Sequence, residues 1–132
     1  MTSILVVDPD LDRRQRMEKE LQDCNQFGRV YACEGLLTAT DLVHDEDIKV
    51  LLIDRGVAES APYWTEFKES HPQMGYVLVS DSDQAVGSQV LSQLGVHAQT
   101  SRSATPVEWV TSIAKALVNR LKPQSLKKWL KD

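Results

Sequence analysis

Two short apolar runs each stop on a single aspartate: Ile4-Leu5-Val6-Val7 on Asp8, and Val50-Leu51-Leu52-Ile53 on Asp54. Unbroken rather than alternating hydrophobicity marks strands buried on both faces, the habit of parallel sheets covered by helices. A further run, Tyr76-Val77-Leu78-Val79, ends on Ser80. Open α/β sheets bind ligands at the carboxyl ends of their strands. Two acids delivered to that edge suit a hard cation, a phosphoryl group, or both.

The rest of the chain fits the same plan. A charged, helix-like segment runs from Leu11 to about Cys24, with Asn25 and Gly28 as its stop signal. Arg29 to Cys33 reads as a second strand, and Leu36, Leu37, Ala39, Thr40 and Val43 as a short amphipathic helix. Pro62 is expected to begin a third helix containing Tyr63, Trp64 and Phe67. That helix closes at His71-Pro72, because the residue before a proline resists the α conformation. A fourth helix holds Ala85, Val86, Val90, Leu91 and Leu94 and stops at Gly95; Val96 to Thr100 is a weaker fifth strand. Thr105-Pro106, a cap followed by a first-turn proline, starts the last helix, with Trp109, Ile113, Ala116, Leu117 and Leu121 on one face.

Five strands alternating with five helices imply a parallel sheet covered on both faces. In 132 residues this is one domain, over residues 1–122, followed by a short basic amphipathic tail over 123–132. The tail sets Leu126, Trp129 and Leu130 at helical spacing among Lys127, Lys128 and Lys131. It reads as a helix folding back on the domain, or as a joint to a partner or output module.

A net charge of −4 argues against a general nucleic-acid binder. No apolar stretch approaches the roughly 20 residues that span a bilayer, and no secretory leader is visible, so a cytoplasmic location is expected. Cys24 and Cys33 read as reduced, small apolar side chains. His44, His71 and His97 lack metal-ligand spacing. Neither GxSxG nor GxGxxG is present, so neither a nucleophile elbow nor a dinucleotide loop is indicated. A cofactor-binding or hydrolytic α/β protein would need a phosphate-cradling loop after the first strand, and Asp8-Pro9-Asp10-Leu11 is the opposite of one. No enzymatic activity is expected.

From residue 3 to about 121, the spacing of elements and the strand-end set Asp8, Asp54, Ser80 and Arg102 resemble the receiver domain of two-component response regulators. The resemblance implies a flavodoxin-like (βα)5 fold with a five-stranded parallel sheet in the order 2-1-3-4-5. Asp54 falls on the phosphoacceptor and Ser80 on the phosphate-binding hydroxyl of the fourth strand. Asp8 falls on the first of two adjacent metal-site acids, and the Gly56 carbonyl on the backbone ligand of Mg²⁺. The implied function is receiver-type signalling in a two-component phosphorelay, with a histidine kinase or other signalling protein as partner. Homodimerisation or docking is expected on the face of the fourth helix, fifth strand and fifth helix: Gln84 to Leu94, Gln99, and Trp109 to Arg120. The cluster Tyr63-Trp64-Phe67 reads first as helix packing, with an exposed Trp64 anchor as the alternative, since tryptophan is enriched among interface hot spots.

The motifs depart from the family where its chemistry is done. Pro9 takes the place of the second metal-site acid. Asp10, one residue on, reads either as a replacement ligand or as a first-turn acid favoured by the helix dipole. Arg102 replaces a lysine, Ser103 the proline after it, and Gln99 the aromatic switch residue. A guanidinium prefers bidentate carboxylate pairing to acting as a point charge, so Arg102 is placed to clamp Asp54 or to pair with Asp81. Mg²⁺ binding is expected to be weak or absent. Two readings stay open: phosphorylation at Asp54, and a pseudo-receiver that docks partners without it.

Overall fold

The computed structural model describes residues 2–81 and 85–120. Strands β1 (Ser3–Val7), β2 (Val30–Cys33), β3 (Ile48–Asp54), β4 (Gly75–Ser80) and β5 (Ala98–Ser101) pair in parallel as one sheet in the order β2-β1-β3-β4-β5. The flavodoxin-like order expected above is the order observed. Successive strand residues face opposite sides. Leu5, Val7, Leu51, Ile53, Tyr76 and Leu78 line one core layer, and Ile4, Val6, Val50, Leu52, Val77 and Val79 the other.

Helices α1 (Leu11–Asp23) and α6 (Pro106–Asn119) cover the second layer, with Met17 and Leu21 from one and Trp109, Ile113 and Ala116 from the other. Helices α2 (Leu36–Asp45), α3 (Arg55–Ser60), α4 (Trp64–Ser70) and α5 (Ser88–Leu94) belong to the first. The α6 stripe falls at i, i+4 and i+7, one face of a 3.6-residue period. Thr105 and Glu108 close a reciprocal capping box at its start, with Pro106 in the first turn. Gly95 ends α5 in the left-handed conformation at φ 70°.

Among the described residues there are six helices, not five. The additional one, α3, is a helical turn and a half directly after Asp54, whose carboxylate caps it by accepting the Val57 N–H at 3.2 Å. Pro62 then breaks the chain instead of starting a helix: it holds Ala61 extended, and α4 begins two residues later at Trp64.

Two tryptophans offered to partners belong to the core. Trp64 is 4% exposed, stands edge-on to Tyr76 at 5.2 Å, and donates its indole N–H to the Leu94 carbonyl at 2.8 Å. Its anchor role is therefore withdrawn; the inward face of α4 takes Trp64 and Phe67, while Tyr63 before it stays exposed. Trp109 is 1% exposed and donates to the Ser101 carbonyl at 2.8 Å. The outer side of α6 shows Val107 and Val118 instead. Gln84 and the basic tail lie outside the described residues.

Candidate functional site

Parallel strands of matched register bring their carboxyl ends together. Val7 pairs with Ile53, Asp54 with Val79, and Ser80 with Ser101, so Asp8, Asp54, Ser80 and Arg102 meet at one edge. Asp8 is 2% exposed, Asp54 6% and Ser80 3%. A cleft of about 410 Å³ opens over them, lined by Arg13, Asp54, Arg55, Ser80, Asp81 and Arg102 among others. The strand-end residues named from the sequence are thus brought together, and a residue the sequence reading passed over joins them.

That residue is Arg13. From the first turn of α1 it donates two parallel hydrogen bonds to Asp8, Nη2 to Oδ1 at 2.9 Å and Nε to Oδ2 at 3.2 Å. The same Nη2 lies 4.0 Å from Asp54 Oδ1. Pairing with Asp8 raises the Arg13 pKa above its ordinary value. Arg14 donates to the Asp8 carbonyl at 2.8 Å, and Arg16 to the Arg102 carbonyl at 3.1 Å. A signal for this was present. Cations in a first helical turn oppose the helix dipole, so arginines packed there need carboxylate or carbonyl partners nearby.

Arg102 is the second cation. It follows β5, its N–H donating to the Ser80 carbonyl at 3.0 Å. Its Nη2 pairs with Asp54 Oδ1, its Nη1 donates to Asp81 at 2.9 Å, and its Nε lies 3.6 Å from Asp8 Oδ2. The two pairings posed as alternatives are made at once. Burial pulls the Arg102 pKa below its ordinary value, with Arg13 nearby adding to the effect and Asp8 opposing it. Even so, a guanidinium stays charged at neutral pH.

Asp10 is exposed and serves as the cap of α1. Its carboxylate accepts from the Arg13 backbone N–H at 2.9 Å, and its own N–H donates to Asp8 Oδ1 at 2.9 Å. The backbone partner Arg13 is the main cause of its lowered pKa. Gln99 lies away from this edge. Its amide clasps the Val86 backbone in both directions, accepting from N–H at 2.9 Å and donating to C=O at 2.8 Å.

A divalent ion of the Mg²⁺ kind needs several oxygen ligands with lone pairs turned toward it. At this edge Asp8 Oδ1 and Oδ2 both accept from Arg13, Asp54 Oδ2 accepts from Val57, and Asp54 Oδ1 faces Arg102. The Gly56 carbonyl accepts from the Ser60 hydroxyl. Two guanidinium groups also repel any incoming dication. The residues as arranged do not fit Mg²⁺, and among the described residues no group of three His, Cys, Asp or Glu side chains converges as a metal site.

No family model matches the sequence, and no curated protein matches it. Solved structures do. NtrX from Brucella abortus, in complex with ADP, superposes with a TM-score of 0.76 at 19% identity, over 100% of this chain and 29% of that one. An atypical orphan response regulator superposes with a TM-score of 0.70 at 16% identity, over 89% and 96% of the two chains. The receiver-modulated diguanylate cyclase response regulator from Pelobacter carbinolicus gives 0.68 at 13% identity, over 91% and 95%. The chain has the receiver fold. At such identities the likeness speaks to architecture, and this chain spans under a third of the NtrX chain. At the strand-end edge of this fold, guanidinium groups stand beside both carboxylates.

Proposed function

We propose that this receiver-fold domain is a two-component-type signalling module that works through protein contacts without being phosphorylated. The observation that carries the reading is the pairing of Asp54 with Arg102 while Arg13 holds Asp8. Phosphoryl transfer to a carboxylate needs an oxygen free for in-line attack and a cation that neutralises the transferring group. Here one Asp54 oxygen faces a guanidinium and the other accepts the Val57 N–H. Supporting the same reading, the orphan regulator of similar fold is described as revealing a phosphorylation-independent regulatory mechanism.

Signalling of this kind acts through a surface that binds a histidine kinase or another signalling protein. The face of α5, β5 and α6 is the proposed region, with Val107 and Val118 as its exposed apolar residues in place of Trp109. Intact mass after incubation with a small phosphodonor and Mg²⁺ tests the proposal. No added mass is expected for the wild-type chain. One phosphoryl group, lost in Asp54→Asn, would overturn it and restore Asp54 as phosphoacceptor, with Ser80 and Arg102 contacting the phosphoryl oxygens.

A further inference from the structure

The amino edge of the sheet, opposite the strand-end carboxylates, carries another hollow. Parallel strands begin on one side, so Ile48 at the start of β3 comes close to Met74, one residue ahead of β4, and α6 returns Arg120 to the same side. The hollow encloses about 500 Å³, within the roughly 300–1,000 Å³ of small-molecule sites. Val43, Ile48, Pro72 and Met74 give it an apolar lining, while Lys49, His71 and Arg120 form a polar wall. Among the described residues, no carboxylate lines it.

Arg120 is the unusual member of that wall. The dipole favours a cation at a helix C-terminus, which accounts for its place but not for its partners. Nη1 donates to the Lys49 and Gln73 carbonyls at 3.4 and 3.2 Å, Nε is enclosed without an acceptor, and Nη2 has no partner among the described residues. Arg13 and Arg102 each meet a carboxylate; Arg120 meets none among the described residues. Lys49 pairs with Asp47 at 3.0 Å, but the Asp47 side chain is 85% exposed and stands outside the lining, so solvent screens that pair. Burial keeps His71 neutral at neutral pH, which leaves the positive charge of the wall to Arg120 and Lys49.

We propose that this hollow binds a small organic acid, its carboxylate against Arg120 and Lys49 and its apolar body against Val43, Ile48 and Met74. A guanidinium and a carboxylate are planar groups matched as donor and acceptor. A bare inorganic anion would leave the apolar lining unused, and an uncharged apolar molecule would leave the guanidinium unmatched. The inference uses no residue of the carboxyl edge, so it stands or falls apart from the phosphorylation-independent reading.

The test is a nuclear magnetic resonance titration of the full chain with hexanoate, set against acetate and hexanol at constant ionic strength. The Met74 methyl group and the Lys49 and Gln73 amides report on the hollow. Hexanoate is expected to shift them saturably. Acetate and hexanol should each bind at least roughly tenfold more weakly, the first for want of apolar contact and the second for want of a charge-assisted hydrogen bond. Arg120→Gln, checked for folding by circular dichroism, should weaken hexanoate at least roughly tenfold, and Lys49→Gln roughly threefold. No saturable shift in wild type, hexanol binding as tightly as hexanoate, or a folded Arg120→Gln chain of unchanged affinity would overturn the proposal. Where Arg120→Gln does not fold, unchanged affinity in Lys49→Gln, at an exposed position, overturns it instead.

Discussion

Arg102 pairs with Asp54 across the carboxyl edge of the sheet, and the same guanidinium reaches Asp81 at 2.9 Å. Both members of the first pair are largely enclosed, with side chains 12% and 8% exposed. Deleting one partner of a buried pair strands the other, at about 3–5 kcal/mol when the surroundings are fully dry. This pair borders an open cleft, so Arg102→Met is expected to lower stability by about 2 kcal/mol. Combined with Asp54→Leu, the loss should be smaller than the sum of the single changes. Urea unfolding of the four chains checks it, and strict additivity would mean that the two residues do not interact.

Gln99 stands where an aromatic switch residue is expected, and it ties down the segment ahead of α5. Two amide-to-backbone hydrogen bonds join it to Val86. Each is worth about 1 kcal/mol net, so Gln99→Ala should destabilise by roughly 1–2 kcal/mol. The distinguishing measurement is hydrogen exchange: the Val86 amide should lose protection while the β4 amides keep theirs. Equal loss across β4 would mean that Gln99 serves global stability and not this segment.

His97 makes the fold sensitive to mild acid. Its Nδ1 accepts the Tyr76 N–H at 3.0 Å, which only the neutral ring can do, and the two rings stack at 5.7 Å. Burial, then the charges of Arg120 and Lys68, lower its pKa below the ordinary 6.5. The unfolded chain therefore binds a proton more readily than the folded one. Stability from this group is complete above pH 6.5 and falls as the pH drops below that value toward the folded-state pKa. His71 is lowered by burial and adds a change of the same sign. In His97→Gln the melting temperature should decline less between pH 7 and pH 5 than in wild type. An identical decline would assign the effect elsewhere.

Gly95 ends α5 at φ 70°, and a Cβ there would collide with the Lys68 ammonium. Lys68 and Trp64 both donate to the Leu94 carbonyl, at 2.7 and 2.8 Å, so the collision would also loosen the end of the helix. Gly95→Ala is expected to cost about 1–2 kcal/mol from the left-handed backbone alone. Lys68→Met should relieve part of the added penalty, making the double variant less unstable than additivity predicts. Thermal unfolding of the four chains decides it.

The architecture was readable because its causes are local and periodic. Apolar runs too continuous for half-buried strands announced a parallel sheet, and the alternation with helical segments announced its coverage. Thr105-Pro106 and Gly95 marked helix ends through backbone chemistry that operates within a few residues. The third helix was misread for a reason of the same kind. Proline serves both as a helix starter and as a breaker, and here Pro62 follows the extended Ala61 that ends α3, while α4 starts at Trp64. Helix packing of Trp64 was readable, but the anchor alternative and the docking role of Trp109 fail, because an aromatic residue on an amphipathic helix looks alike whether the neighbouring layer covers it or leaves it open.

Sequence alone determined that Asp8, Asp54, Ser80 and Arg102 would share one edge, since strands of a parallel sheet all end on the same side. It also set Arg102 after the fifth strand and Pro9 directly after Asp8. Which cation holds which carboxylate was decided only by the tertiary structure. Arg13, Arg14 and Arg16 are near neighbours of one type on one helix, and nothing local separates them. The packing of α1 over β1 turns Arg13 toward both aspartates and Arg14 toward a backbone carbonyl. Side-chain direction relative to a distant strand is a property of the packed layers, and a linear sequence does not contain that angle.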